Sequence, residues 1–446
     1  CPAGVEYLEA ASGAAIDQGC RGGDFRGGTG GGERTGGGAA MSVWGGGYVT
    51  DVSYLARYYS EQSPYMLAAA CLLAGYQPGF TGEAPGLHYL ELGCGRGRNA
   101  LVLAAANPTW RVTAIDFMPA AIAEARQVAA TARLDNVTFI EADLATFAET
   151  QAAAALGEVD VVSMHGVWSW VPEAVRAGIV RLLAARLRPG GLLHVSYNVL
   201  PGLQGALGMQ RVIRGAGLAL ANRSDRQAVA GVQVANDLAA AEALHMGTPV
   251  VTELLAKLGA APVEYLAHEY MNETWQPCFQ ADVAAALADA KLELVAMARL
   301  PENFLGLMLT APQIAVLDRF EDPTLRELIK DICIDRALRH DIYMRGARRL
   351  DRATQDAALR GVSLALTVPP AKFAYHLEMP AGHATLADGF YRPAVAALAE
   401  RPHMVGELMG LPGQQGKNDN PAEVLAMLAG TGQAALLLRP GLPPTA

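Results

Sequence analysis

The chain has 446 residues, enough for two or three domains, and carries 35 Lys and Arg against 44 Asp and Glu, a net charge of −9. That balance lacks the basic face that nucleic-acid phosphate demands, and 51% hydrophobic with 18% charged residues excludes a wholly disordered polymer. No run of about 18 mostly apolar residues occurs, so no membrane-spanning helix and no membrane insertion are expected.

The first 40 residues stand apart. Thirteen of them are glycine, and eleven of these fall between Gly19 and Gly38. Such a stretch cannot bury enough apolar surface to offset its ordering entropy. Residues 1–40 therefore read as a disordered Gly-rich leader or a start-site artefact ahead of Met41. Cys1, Cys20, Cys71, Cys94, Cys278 and Cys333 are scattered, with no CxxC and no metal-type pairing with His. No metal site is expected, and free thiols suit a reducing cytoplasm.

Residues 41–86 read as an N-terminal helical lid. Tyr54, Tyr58, Tyr59 and Tyr65, with Ser63-Pro64, give an aromatic helix and turn that serves either a pocket or an amphipathic core. Leu87 to Leu92 is then a short apolar strand running into Gly93-Cys94-Gly95-Arg96-Gly97, and the next residues, Ala100 to Ala104, have helical character. Strand, glycine loop and helix bring backbone N–H groups against a ligand. The spacing is GxGxG, and Arg98 stands where a dinucleotide loop wants its last glycine. Glu91, two residues before the first glycine, suits a ligand carrying an ammonium or sulfonium.

The strand Trp110 to Ile115 ends at Asp116, placed to accept hydrogen bonds from ribose hydroxyls. A helix from Pro119 to Ala132 leads to a third strand, Val137 to Leu144, with Asp143 at its carboxyl end as an adenine reader or a helix N-cap. Val159 to Met164 makes a fourth strand ending at His165-Gly166. Leu192 to Tyr197 makes a fifth, after the turn Arg188-Pro189-Gly190-Gly191. Strands alternating with helices argue for a parallel sheet with its ligand at the carboxyl ends.

Glu91-Leu-Gly-Cys-Gly-Arg-Gly97, Asp116, Asp143 and Arg188-Pro-Gly-Gly191 resemble the successive motifs of class I S-adenosylmethionine-dependent methyltransferases. Three further segments, His165 to Pro172, Val195 to Gly202, and His268 to Asn272 with Gln276 to Phe279, are similar to bacterial methyltransferases with a methyltransferase regulatory domain. That group includes protein lysine methyltransferases. The resemblance implies an α/β fold: a Rossmann-like, doubly wound, mostly parallel sheet. It implies S-adenosyl-L-methionine as cofactor, touched by Glu91, Gly93, Cys94, Gly95, Gly97, Asp116, Phe117, Asp143, Leu144, His165 and Gly166.

On the acceptor side, His165, Tyr197 and Asn198 are the candidates for accepting a proton or orienting a nucleophile. Tyr65, Trp168, Trp170, His268, Glu269 and Tyr270 are the candidates for binding the acceptor. For each, loop packing, a helix-surface carboxylate or an ordinary structural hydrogen bond is the alternative reading. The expected core spans 87–310, with a helical insertion at 205–269 acting as a regulatory segment or substrate lid. A helix before a sixth strand, Leu292 to Met297, follows that insertion. Residues 311–350 read as a charged helix connector, since Asp318 to Leu350 carries eight basic and seven acidic residues. Residues 351–446 resemble a small winged-helix-like domain, whose few cations favour protein contact or homodimerisation over phosphate binding.

The expected function is methyl transfer by in-line displacement in the cytoplasm, with a protein lysine amine as acceptor. A small-molecule N- or O-methyltransferase and a non-catalytic cofactor-binding subunit are the alternatives.

Overall fold

Every residue of His88–Leu92 (β1) is buried, as the near-continuous apolar run of a strand covered on both faces requires. In the computed structural model, which describes residues 45–54, 57–80, 86–412 and 419–437, β1 lies inside a seven-stranded sheet. Its other strands are Arg111–Asp116 (β2), Val137–Glu141 (β3), Val159–Met164 (β4), Leu187–Asn198 (β5), Leu292–Met297 (β6) and Leu338–Arg345 (β7). The order is β3-β2-β1-β4-β5-β7-β6, with β7 alone antiparallel to its neighbours. The strand order reverses between β1 and β4, and in an open parallel sheet that point forms a ligand crevice. Residues 1–44, including the Gly-rich stretch with Cys1 and Cys20, lie outside the described residues.

The described chain divides into two compact units. The smaller contains 45–54 and 204–274, with helices Leu207–Leu220, Ser224–Ala240, Pro249–Leu258 and Val263–Tyr270. Met209, Ile213, Ala228, Val232, Val251 and Leu266 form its core, joined by Val49 and Val52. The expected N-terminal lid is thus divided: 45–54 belongs to this unit, while 57–80 belongs to the sheet unit, as a short turn Ser60–Gln62 and the helix Pro64–Leu73.

Two expectations are corrected in the sheet unit. The 311–350 segment is not a solvated connector. It folds into helices Ala311–Leu317 and Pro323–Cys333 and then the buried strand β7, which inserts between β5 and β6. Its charges misled because they neutralise one another inside. Arg339, fully buried, donates to Asp341 at 2.8 Å, Asp331 at 2.7 Å and Glu327 at 2.7 Å. Burial pushes the Glu327 carboxyl up, but the cations Arg339 and Lys330 outweigh it and hold it at about 2. The third strand also stops at Glu141 rather than Leu144.

Beyond β7, a helix Arg352–Arg360 leads to Ser363–Leu366 (β8), a hairpin of His376–Met379 (β9) and Gly382–Thr385 (β10), and the helix Asp388–Glu400. His403–Met404 (β11) and Ala434–Leu437 (β12) pair antiparallel on either side of β8. The buried residues of this region, among them Leu364, Phe390 and Leu425, share one hydrophobic cluster with Leu67, Val295 and Ile342, so it packs into the sheet unit's own core.

Candidate active site

Gly93, Gly95 and Gly97 follow β1, and each has a positive φ, of 70°, 51° and 69°. Only glycine adopts that conformation freely. Their surroundings differ. A Cβ on Gly93 would lie 2.4 Å from Val167 and one on Gly97 would lie 2.4 Å from Phe139, whereas one on Gly95 would meet no protein atom within 4 Å. Two glycines therefore let the loop pack closely, and the middle one presents open backbone. The loop ends on the helix Arg98–Ala106, with Gly97 as its left-handed N-cap.

Asp116, at the end of β2, holds that loop. Its Oδ2 accepts from Gly95 N–H at 2.7 Å and its Oδ1 accepts from Met118 N–H at 2.9 Å. Burial raises its pKa, opposed by the backbone N–H groups of Met118, Gly95 and Phe117. A ribose diol needs acceptors, and the two oxygens of a carboxylate supply them. Glu91 lies on the same sheet face, since it pairs with Ala114, two residues before Asp116. Its carboxyl is pushed up to about 8 by burial, with Asp116 adding to the effect. Its Oε2 has no hydrogen-bond partner. A buried carboxyl with an unused oxygen beside an open glycine loop fits a ligand that brings an ammonium.

The remaining cofactor candidates separate. Cys94 is buried, its thiol donating to Gly95 O at 3.6 Å, and Gly166 N–H donates to Ser196 Oγ at 2.8 Å. Asp143 is exposed just past β3 and accepts from Ala145 N–H at 2.8 Å, closing a turn. Leu144 is a core residue beside Phe147 and Trp168.

His165 follows β4. Its Nδ1 lies 3.1 Å from Ser196 Oγ, and the ring of Tyr59 stacks on it at 4.0 Å. Burial, assisted by the Arg299 cation, lowers its pKa to about 4. The imidazole is therefore neutral near pH 7 and a weak base there. Two more histidines share its neighbourhood: the His194 ring is 6.4 Å away and the His340 ring 5.4 Å. Asn198, two residues beyond Ser196 on the same face of β5, accepts from Trp275 Nε1–H at 3.1 Å, and Trp275 lies against Trp170 with centroids 6.0 Å apart.

Several acceptor-side expectations are corrected. Tyr197 points to the opposite face of β5, where its hydroxyl donates to Asp341 at 2.7 Å inside the Arg339 network. Tyr65 packs on Trp110, at the other end of β2 from Asp116. Trp168 is fully buried under the Arg176 guanidinium, so it is packing rather than pocket wall. His268, Glu269 and Tyr270 belong to the smaller unit. There His268 donates to Val52 O at 2.8 Å, the Tyr270 carbonyl accepts from Gln210, and burial pushes the Glu269 carboxyl up to about 7. The groups that sequence reasoning missed are Gln62, Ser196, His194, His340 and Trp275. Two of these carried a signal: Ser196 lies within one of the segments that bear the resemblance, and Trp275 is a tryptophan between two others.

The family described as a methyltransferase domain matches residues 90–191, and the family described as a predicted methyltransferase regulatory domain matches 262–345. Over 375 residues the chain is 32% identical to the uncharacterized protein sll1526 of Synechocystis sp. strain PCC 6803, an alignment covering 82% of this chain and 71% of that protein. The chain belongs to the class I S-adenosylmethionine-dependent methyltransferases. It is also 24% identical over 330 residues to the uncharacterized protein RP789 of Rickettsia prowazekii, covering 72% of this chain and 57% of that one. The structure of PKMT2 from Rickettsia typhi in complex with AdoHcy shares the fold, with a TM-score of 0.65 at 19% identity over 86% of this chain and 77% of that chain.

The donor side of this methyltransferase fits its cofactor, S-adenosyl-L-methionine. Glu91 would hold the amino-acid end, Asp116 the ribose, and Gly95 would admit close approach of the ligand. The regulatory-domain match includes β6 and β7 of the sheet and only the last residues of the 205–269 insertion. Among the described residues no helix is long and apolar enough to cross a membrane, and no His, Cys, Asp and Glu cluster could hold a metal ion.

Proposed function

We propose that this methyltransferase acts on a nitrogen nucleophile, the side-chain amine of a protein lysine. The observation that carries the reading is the enclosure of His165 by rings, with Tyr59 stacked on it at 4.0 Å and His340 at 5.4 Å. Burial there, with the Arg299 cation adding to it, lowers the pKa of His165 to about 4, so it does not store a proton at neutral pH. A lysine amine attacks only when neutral, and burial next to uncharged imidazoles and a cation favours its neutral form. Bound S-adenosylmethionine supplies the electrophilic methyl group. His165 accepts a hydrogen bond and orients the nitrogen, while the Tyr59 ring stacked on His165 excludes water from that side. The segments that resemble bacterial protein lysine methyltransferases support the same acceptor.

A second reading has one observation in its favour. The Arg299 cation, which pairs with Glu61 at 3.6 Å, would exchange that partner for an anionic acceptor, such as the carboxylate of a small molecule. Methyl-labelled cofactor incubated with the purified protein and a bacterial lysate separates the two. Label that enters protein and survives mild alkali supports lysine methylation. Alkali-labile label, or label confined to low-mass material, supports a carboxylate or small-molecule acceptor.

A further inference from the structure

The segment 57–63 is tied down at four points. Tyr59 N–H donates to Asn99 Oδ1 at 3.5 Å, and the Tyr59 ring stacks on His165 at 4.0 Å. Glu61 pairs with Arg299 at 3.6 Å, and Gln62 Oε1 accepts from the Ser163 hydroxyl at 3.0 Å. Asn99 is in the first turn of the helix that leaves the cofactor loop, and Ser163 is near the end of β4. The strap therefore spans the crevice between β1 and β4, joining the donor half of the site to the acceptor half.

Its anchor is unusually deep. Ser163 and His194 are completely buried, and Gln62 and His340 nearly so. The hydrogen-bond directions can be assigned in order. Ser163 gives its only proton to Gln62, so His194 Nδ1, 2.9 Å from Ser163 Oγ, must be the donor there. His194 Nε2 is then an acceptor, so His340 Nδ1, 3.3 Å away, must donate to it. His340 Nε2 ends the chain, buried and without a partner. Four polar groups in a row are costly where an apolar core would suffice, unless their order serves the site.

We propose that Tyr59 is a positioning residue for the acceptor, and that the ladder Gln62–Ser163–His194–His340 fixes it over His165. The aromatic ring restrains His165 from one side, and the ladder prevents the strap from shifting along the crevice. This rests on methyl transfer as the activity and holds whichever nucleophile accepts the group.

The test uses the full chain, with turnover read as S-adenosylhomocysteine released in a bacterial lysate, which reports transfer to any acceptor. Tyr59→Ala and Gln62→Met should each lower turnover by about tenfold or more. Tyr59→Phe, which keeps the ring, should stay within about threefold of the parent. The dissociation constant of S-adenosylhomocysteine, measured calorimetrically, should stay within about threefold for all three. Nitrogen-15 spectra of the parent protein should show His194 and His340 as neutral Nδ1–H tautomers. Turnover of Tyr59→Ala within about twofold of the parent overturns the role of Tyr59, and so does an equal loss of cofactor affinity. An Nε2–H tautomer at His194 overturns the ladder. Label appearing outside protein lysines contradicts the acceptor reading alone and leaves these outcomes decisive.

Discussion

Asp116 and Glu91 lie on neighbouring strands and one sheet face, and the Asp116 charge adds to the burial that pushes the Glu91 carboxyl up to about 8. A carboxyl raised this far is mostly protonated at pH 7, although the ligand it fits carries an ammonium.

Cofactor binding should therefore be linked to proton release. An ammonium beside Glu91 favours the carboxylate, so affinity should rise with pH up to about 8, by as much as about tenfold per unit. Glu91→Gln should flatten that dependence. Without ligand the sign for stability is the reverse. The folded-state pKa is above the unfolded value, so the native state holds the extra proton and stability falls as pH rises from about 4.5 to 8. Calorimetry with S-adenosylhomocysteine at pH 6 and 8 checks the linkage, and equal affinities would dismiss it.

Asp116→Ala removes the acceptor for Gly95 N–H and the expected ribose contact together. The loss should weaken cofactor binding by about 1–3 kcal/mol. Asp116→Asn keeps an oxygen that can still accept, and should lose less. An alanine variant that binds as well as the parent disproves the ribose assignment.

The glycine loop and Asp116 were legible because they are local. A GxGxG loop after a strand and an acid at the next strand's end follow from backbone geometry within about 25 residues. The acceptor half depends on partners brought from far along the chain. Trp275 meets Asn198 across 77 residues, and Gln62 meets Ser163 across 101. Tyr197 and Asn198 are adjacent, yet strand alternation sends one into the Arg339 network and the other to Trp275. β7 was hidden for a related reason. Its charges read as solvated until Pro323–Cys333 brings Glu327 and Asp331 against Arg339.

That network gives a stability prediction. Arg339→Met leaves Asp341 buried without its cation and Asp331 with Arg336 alone, at 2.9 Å, and breaking a buried pair from one side costs about 3–5 kcal/mol. Urea unfolding should show the midpoint fall accordingly. A variant as stable as the parent would mean that the carboxyls simply take up protons, as the raised pKa of Asp341 allows.

The last prediction concerns His165. With its pKa lowered to about 4, this residue does not change charge between pH 5.5 and 8. Turnover at saturating cofactor should therefore show no limb near 6 to 7 that belongs to it. His165→Gln keeps hydrogen-bonding capacity and should retain more activity than His165→Ala, whose loss should be about 5- to 30-fold, the worth of one orienting hydrogen bond of about 1–2 kcal/mol. A general base would behave otherwise: its removal costs about 100-fold or more, and its titration appears in the pH profile. A limb near 6.5 that vanishes in His165→Gln would show that His165 takes the proton itself, and the amine would then owe its neutral state to His165 rather than to its burial.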